Sequence, residues 1–383
     1  MTDSEKENVV DGNESKTNKH DPWDLKQMQS LPLEAKIIMT KQRIRAWYES
    51  WKRFEIYNTA TGKTRFVTYA TKDIFDEPPM ESTEYVETAE SGWVYVNFSG
   101  GKDSTVLKHI VDSMYSDVPA VFVNTGLEYP EIQQFVRRIK NGEFDCFNDD
   151  VEMVRPEMRF DEVLKTYGYP VVSKSVSHSI DIARRIPDGK VAQNIVFNPN
   201  NKSLFDCYKW NFLTEAPFLV SDQCCNVMKK KPSKKYSKET GRIPFVGTMA
   251  TESKLRYKSW LKSGCNAFDN KNPISQPMAF WTEQDVLQYI KEFNVPYASV
   301  YGDIINTENG LKTTGCDRTG CIFCVFGCHL EKEPNRFQRL KETHPKQYEY
   351  CINGGEMVDG KWQPNKDGLG LGKVLDHIGV EYD

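Results

Sequence analysis

The 383-residue sequence has no apolar run long enough to span a membrane. Its first residues are polar and charged, unlike a secretory leader, so a cytoplasmic setting without a membrane partner is expected. Excess positive charge is also missing. The net charge is −4, so any contact with nucleic acid needs a local basic patch rather than bulk attraction. Histidine is scarce, at six residues, and none falls in a Ser/His/Asp or Cys/His arrangement that would mark nucleophilic catalysis. There is no repeat of solenoid period, and low complexity is confined to one lysine run. What remains is the composition of a soluble globular protein, 39% hydrophobic and 27% charged, with ten clustered cysteines. In a reducing compartment such thiols serve as metal ligands or reactive groups more often than as disulfides.

The stretch that organises the chain is residues 94–107. Val94, Tyr95, Val96 and Phe98 read as a buried strand that stops at Gly100-Gly101, and Val106, Leu107 and Ile110 then share one helical face. Strand, glycine turn and helix aim backbone N–H groups at an anion. Gly100 and Gly101 let the chain approach a phosphate and Lys102 adds positive charge. Ser99 and Ser104 offer hydroxyls, and Asp103 suits Mg²⁺ or the helix N-terminus. The spacing fits neither a Walker A loop nor GxGxxG. The run Ser-Gly-Gly-Lys-Asp-Ser resembles the PP-loop of ATP pyrophosphatases, which implies cleavage of ATP between its α and β phosphates, with Lys102 and Asp103 in the catalytic roles.

Other segments extend this plan. Residues 1–25 hold almost no large apolar side chains and are expected to be disordered. Residues 33–54 carry Ile37, Ile44, Trp47 and Trp51 at helical spacing, with a packing role for the aromatic stripe. Residues 55–92 suggest a small hairpin about Gly62, followed by an acidic connector. A second buried strand, residues 119–124, leads into Thr125, Gly126 and Glu128, which the carboxyl-end rule for parallel sheets brings to the glycine-loop crevice. Strands are also expected at residues 151–154 and 243–247, with helices at 173–185 and 281–293. Residues 187–217 show no clear period. The expected organisation is a disordered 1–25, a helical and hairpin extension over 26–92, an α/β domain over 93–330, and a C-terminal segment over 331–383.

Four cysteines crowd residues 316–328, and Cys224-Cys225 form an adjacent pair. Cys316, Cys321, Cys324 and Cys328 alone would suit tetrahedral zinc. Neighbouring side chains cannot easily share one small ion, whereas two irons of a cubane can each take a thiolate, so the pair plus Cys321 and Cys324 favours a 4Fe–4S cluster. Cys224-Cys225 followed by lysines, then Gly320-Cys321-x-x-Cys324, resembles the cluster pattern of adenylyl-sulfate reductases, in the phosphoadenosine phosphosulfate reductase family. Asn124-Thr125-Gly126, Gly247-x-x-Ala250-x-Glu252-Ser253-x-x-Arg256 and the segment from Trp281 to Val286 are similar too. The likeness spans roughly residues 93–330, and the preceding helix resembles phage- and mobile-element-type members. It implies a three-layer PP-loop α/β sandwich with a parallel sheet, an N-terminal helix and hairpin extension and an irregular Cys-rich C-terminal part. It also implies Cys224, Cys225, Cys321 and Cys324 as cluster ligands and Glu252 and Arg256 as nucleotide contacts.

Two departures bear on the reaction. Residues 376–383 carry no counterpart of the family's Cys-Gly tail thiol, and Met249 stands where Gly-x-Arg-Ala has arginine. The resemblance therefore favours members that pair a PP-loop with cluster cysteines and move sulfur into nucleic acid. These adenylate an oxygen from ATP or a related nucleotide, with Mg²⁺ and Lys102 on the leaving pyrophosphate. A sulfur donor such as a cysteine desulfurase is the implied partner, and Cys316 or Cys328 would carry persulfide. The same-class rival reduces adenylyl sulfate or its 3′-phosphate to sulfite with thioredoxin. A rival of another class is a non-catalytic nucleotide-binding iron–sulfur sensor. Lys229 and Lys230, opening the basic run 229–238, are the expected phosphate contacts.

Overall fold

The structure, a computed structural model, describes residues 18–73, 76–201, 203 and 206–383. Of the stretch expected to be disordered, residues 1–17 lie outside the described residues. The rest corrects the expectation: Asp21 caps a helix, α1 (Pro22–Gln29), through the backbone N–H groups of Trp23 and Asp24. Helix α2 (Leu33–Ser50) ends four residues earlier than its periodicity suggests. Trp51 turns the chain into β1 (Trp51–Asn58), because the alternation Trp51, Phe54, Ile56 buries a strand face equally well. The hairpin about Gly62 joins β1 to β2 (Lys63–Ala70), and β3 (Glu84–Ser91) adds a third strand where a connector was expected.

The main sheet follows. Strand β4 (Val94–Asn97) leads through the glycine loop to α3 (Lys102–Asp112), and then come β5 (Ala120–Val123), α4 (Pro130–Lys140), β6 (Val151–Val154), α5 (Phe160–Tyr167) and α6 (Lys174–Arg185). After irregular helical turns come α7 (Lys231–Thr240), β7 (Ile243–Val246), α8 (Lys254–Ser263), β8 (Asn266–Ala267), β9 (Ile274–Ser275) and α9 (Glu283–Glu292). The strand order is β6-β5-β4-β7-β9-β8, parallel except for the final β8–β9 pair. The chain builds outward from β4 to β6, then returns to the other side of β4 with β7. That reversal opens a crevice at the carboxyl ends of β4 and β7.

Strand alternation divides the core. Val94, Val96, Ala120 and Phe122 join α2, α3 and α9 in one apolar cluster, while Tyr95 and Val121 face Tyr236 of α7 on the other side of the sheet. The N-terminal extension is locked into this cluster. Trp47 is fully buried, Trp281 Nε1 donates to Thr40 Oγ1 at 2.9 Å, and Lys36 Nζ reaches both Asp285 carboxylate oxygens at 2.8 Å. A second apolar cluster joins α5, α6 and the cysteine loop to the C-terminal segment. The hairpin β10 (Ile304–Thr307) and β11 (Gly310–Thr313) precedes the cysteine loop, and α10 (Arg336–Thr343), α11 (Pro345–Ile352), β12 (Glu356–Val358), β13 (Lys361–Gln363) and α12 (Leu371–Ile378) complete the chain. Among the described residues, no helix is long and apolar enough to cross a membrane.

One buried pair in α3 makes stability depend on pH. Lys108 and Asp112 meet at 2.7 Å with almost no exposure, and burial pushes the Asp112 carboxyl up to about 6 against the opposing pull of Lys108. A carboxyl whose folded value exceeds its unfolded value stabilises when protonated. The contribution is complete below the unfolded value of about 4 and lost as pH rises through about 6. The stability of the wild type minus that of Asp112→Asn should therefore fall between those pH values and be level above them, as urea midpoints will report.

Candidate active site

The glycine loop is held in shape by contacts within the chain. Gly100 has φ +72°, and a β-carbon there would lie 2.7 Å from Ile132 Cγ2 and 2.9 Å from Val136 Cγ2, so a side chain is excluded. Ser104 Oγ accepts from the Ser99 amide at 3.2 Å, meets Ser99 Oγ at 2.9 Å and donates to the Gly101 carbonyl at 2.9 Å. Gly247 packs its backbone against the start of α3, since a β-carbon would come within 3.0 Å of Asp103 O. First-turn amides of α3 lack intrahelical acceptors, and that of Lys102 donates to Tyr301 Oη at 3.1 Å.

The Lys102 side chain turns behind the loop rather than into the crevice. Its ammonium sits 3.2 Å from Glu283, 3.5 Å from Asp103 and 3.1 Å from the Asp317 carbonyl, almost fully buried. Burial opposes that charge, but Asp103 and Glu283 prevail and hold it above the usual lysine range. Burial in turn pushes the Asp103 carboxyl up, with Lys102 pulling it down. Asp103 thus belongs to a charge cluster with Lys102, Glu252 and Arg318.

In front of the loop lies a cleft of about 780 Å³. Val123, Val246 and Ile274 supply apolar surface, Ser99 and Ser104 line the loop end, and Lys229, Lys230 and Arg256 bring positive charge. Glu128 also lines it, held by Thr125 through its backbone N–H at 3.2 Å and its hydroxyl at 2.6 Å. Gly126, at φ +75°, makes the turn between them. Glu252 accepts from the Met249 amide at 2.8 Å and binds the Arg256 guanidinium, with Arg318 at 3.6 Å on its other oxygen. Of the expected nucleotide residues, Ser99, Ser104, Glu128, Lys229, Lys230 and Arg256 line this crevice, while Lys102 and Asp103 stand behind its glycine loop.

Of the four thiols expected to act together, two adjacent ones are in contact and the other two lie within electrostatic reach of them. Cys224 and Cys225 place their sulfurs 3.9 Å apart at the start of a π-turn. Cys225 and Cys324 both oppose ionisation of Cys321, and Cys321 and Cys324 oppose that of Cys224. The hydrogen bond from Cys224, with Lys174 and Lys229 nearby, holds the Cys225 thiol below the usual range, whereas burial pushes Cys321 up to about 11. The Cys321-Cys324 turn is pinned at both ends: Ile322 N donates to Leu127 O at 2.8 Å, and Arg336 donates to Cys324 O at 2.9 Å. Cys316 lies apart, against Tyr129 and Arg339. Cys328 and Cys351 are sealed in the second apolar cluster, and burial raises the Cys328 thiol to about 12. Among the described residues, no three Cys, His, Asp or Glu side chains are arranged to hold a single metal ion. Four thiols beside two lysines are a donor set that suits a larger anionic iron–sulfur group.

Lys229 joins the two halves. It lines the cleft, and its ammonium faces Cys321, Glu128 and Cys225. Sequence alone places Lys229 near the pair, but Lys174, at the start of α6, carries no signal. Its partnership with Cys225 arises because α6 and the π-turn pack in the second apolar cluster. Tyr301 and Thr319, whose hydroxyls meet at 2.6 Å over Gly101, escape sequence reasoning for the same reason.

The chain is 23% identical over 261 residues to an uncharacterized protein of Methanocaldococcus jannaschii, a match covering 68% of this chain and 47% of that one, about half its length. It is 22% identical over 265 residues to an adenosine 5′-phosphosulfate reductase of Staphylococcus haemolyticus, covering 68% and 82% respectively. A solved phosphoadenylyl-sulfate reductase from Candida auris, in complex with phosphate, aligns at 16% identity and TM-score 0.32 over 54% of this chain and 75% of that one. The phosphoadenosine phosphosulfate reductase domain matches residues 94–178 and 173–325. The chain belongs to the phosphoadenosine phosphosulfate reductase family.

Proposed function

We propose that this protein activates an acceptor oxygen with ATP, releasing pyrophosphate, so that a sulfur nucleophile then displaces AMP. The observation that carries the reading is Lys229, whose ammonium is shared between the nucleotide-sized cleft and the thiol group. In this reading the apolar surface of Val123, Val246 and Ile274 takes the base, and the glycine-loop amides with Lys230 and Arg256 take the phosphates. The α-phosphorus bonds to the acceptor oxygen as its bond to the β-bridging oxygen breaks, and pyrophosphate carries that electron pair away. Lys102 keeps the loop fixed from behind through Glu283 and Asp317. A 4Fe–4S cluster on Cys224, Cys225, Cys321 and Cys324 would supply redox capacity or a hold on sulfur. Mg²⁺ would balance the phosphate charge. Nucleic acid is the favoured acceptor, and a cysteine desulfurase or another sulfur carrier would be the partner.

A second reading, reduction of adenylyl sulfate or its 3′-phosphate to sulfite, is supported by the likeness to the Staphylococcus reductase. It requires a thiol that can reach the sulfate sulfur. Cys328 and Cys351 are poor choices because both are buried. Product analysis separates the readings. AMP and pyrophosphate from ATP, dependent on nucleic acid and a sulfur donor, are expected. Sulfite released from adenylyl sulfate would replace the first reading with the second, and no turnover of either would leave a nucleotide-binding sensor.

A further inference from the structure

Helix α7 begins six residues after Cys225 and descends along the cleft. Lys230, Lys234 and Lys238 follow at intervals of four residues, and all three line it. Ser233 and Ser237 lie between them on the same wall. The three lysines are exposed, and none is ion-paired among the described residues. The other face of the helix differs: Lys235 is bound to Glu157 at 3.0 Å, and Lys231 does not line the cleft. Arg256 also lines the cleft but is paired with Glu252, so the free charge is that of the three lysines. On a chain of net charge −4, this is a local concentration of unneutralised cations.

One nucleotide does not need the whole stripe. From Lys230 to Lys238 the helix rises about 12 Å, with cations about 6 Å apart. That spacing suits successive phosphates of an extended strand better than the clustered charges of one triphosphate. A duplex, with its paired strands and larger diameter, does not enter a cleft of about 780 Å³. A cationic groove that tracks the backbone is the electrostatic part of the general plan by which single strands are held without sequence readout.

We propose that Lys230, Lys234 and Lys238 form a track for the phosphates of a single-stranded nucleic acid whose end or unpaired nucleotide enters the cleft. The proposal rests on the reading that the cleft is the nucleotide site, and it names single-stranded nucleic acid as the acceptor class.

The test is fluorescence anisotropy of labelled twelve-nucleotide DNA and RNA strands with the full-length protein, over a salt series. ATP binding is measured separately by calorimetry. The track predicts a slope of log affinity against log salt of about −2, from three neutralised phosphates at about −0.7 each. The double variant Lys234→Gln/Lys238→Gln should bind about tenfold more weakly at low salt, with a slope near −0.7, and keep its affinity for ATP. Lys231→Gln/Lys235→Gln removes the same charge from the other face and should bind the strands like wild type. Equal losses in the two variants, no measurable strand binding, or duplex binding as tight as single strand would overturn the track. So would displacement by polyglutamate as effective as by unlabelled strand, which would point to an acidic protein. Failure of wild type to bind ATP while strand binding follows the stripe would remove the ATP reading and leave the track standing.

Discussion

Replacing Lys229 by methionine should lower turnover by about 10²- to 10³-fold, the effect typical of losing one preorganised electrostatic group. Methionine keeps most of the length and apolar stem, so packing changes little. What goes is an ammonium that faces Cys321, Glu128 and Cys225 while its side chain lines the cleft. Burial works against that charge, yet Cys321 and Glu128 hold it above the usual lysine range. Without it, the Glu128 carboxylate and the thiol group lose the cation that lies between them, and the cleft loses a positive charge on its thiol side. The loss should fall mainly on kcat if the charge acts on the reacting centre, and mainly on KM if it only holds substrate. Lys229→Arg should restore part of the activity, because charge rather than shape is required. Steady-state pyrophosphate release decides this. Activity within threefold of wild type would show that the contact between cleft and thiols is only structural.

Asp285→Ala should be the most damaging substitution to the fold, costing about 3–5 kcal/mol. Both Asp285 oxygens accept from Lys36 at 2.8 Å, and one also accepts from the Thr282 amide at 2.7 Å as the start of α9. Removing the carboxylate leaves the Lys36 ammonium, 2% exposed, without a partner in the core and takes away the Asp285 half of the α9 capping box. The double variant Lys36→Met/Asp285→Leu should recover most of the loss, since an apolar pair of similar size avoids burying ions. Breaking the exposed Asp181–Arg185 pair by Arg185→Ala should change stability by less than about 1 kcal/mol. Urea denaturation of these variants beside wild type checks all three statements. A loss under about 1 kcal/mol for Asp285→Ala would mean that α2 is not fastened to the α/β core through this pair.

Much of the site is legible because its signals are local. A glycine turn between a strand and a helix, an adjacent cysteine pair and a Cys-x-x-Cys spacing each reflect chemistry carried by neighbouring residues. The strand at Val151–Val154 and the capping box of Thr282 and Asp285 are readable for the same reason. Where geometry depends on distant packing, sequence is silent. Lys102 reads as a phosphate contact, but Glu283, some 180 residues later, turns its ammonium behind the loop. Trp51 fits a helix stripe and a strand face equally well, and only its pairing with Ala70 selects the strand. The short helices of the last fifty residues are obscured by charges and glycines. Their burial against α5 and α6 comes from a shared core that no periodicity within eight residues can announce.

Iron and acid-labile sulfide, determined with the visible spectrum on anaerobically purified wild type and Cys224→Ser, test most directly whether the thiol group beside the cleft holds a cluster. About four irons and four sulfides per chain are expected, with broad absorbance near about 400 nm that the substitution abolishes. One zinc per chain, no sulfide and a Cys224→Ser protein indistinguishable from wild type would contradict it.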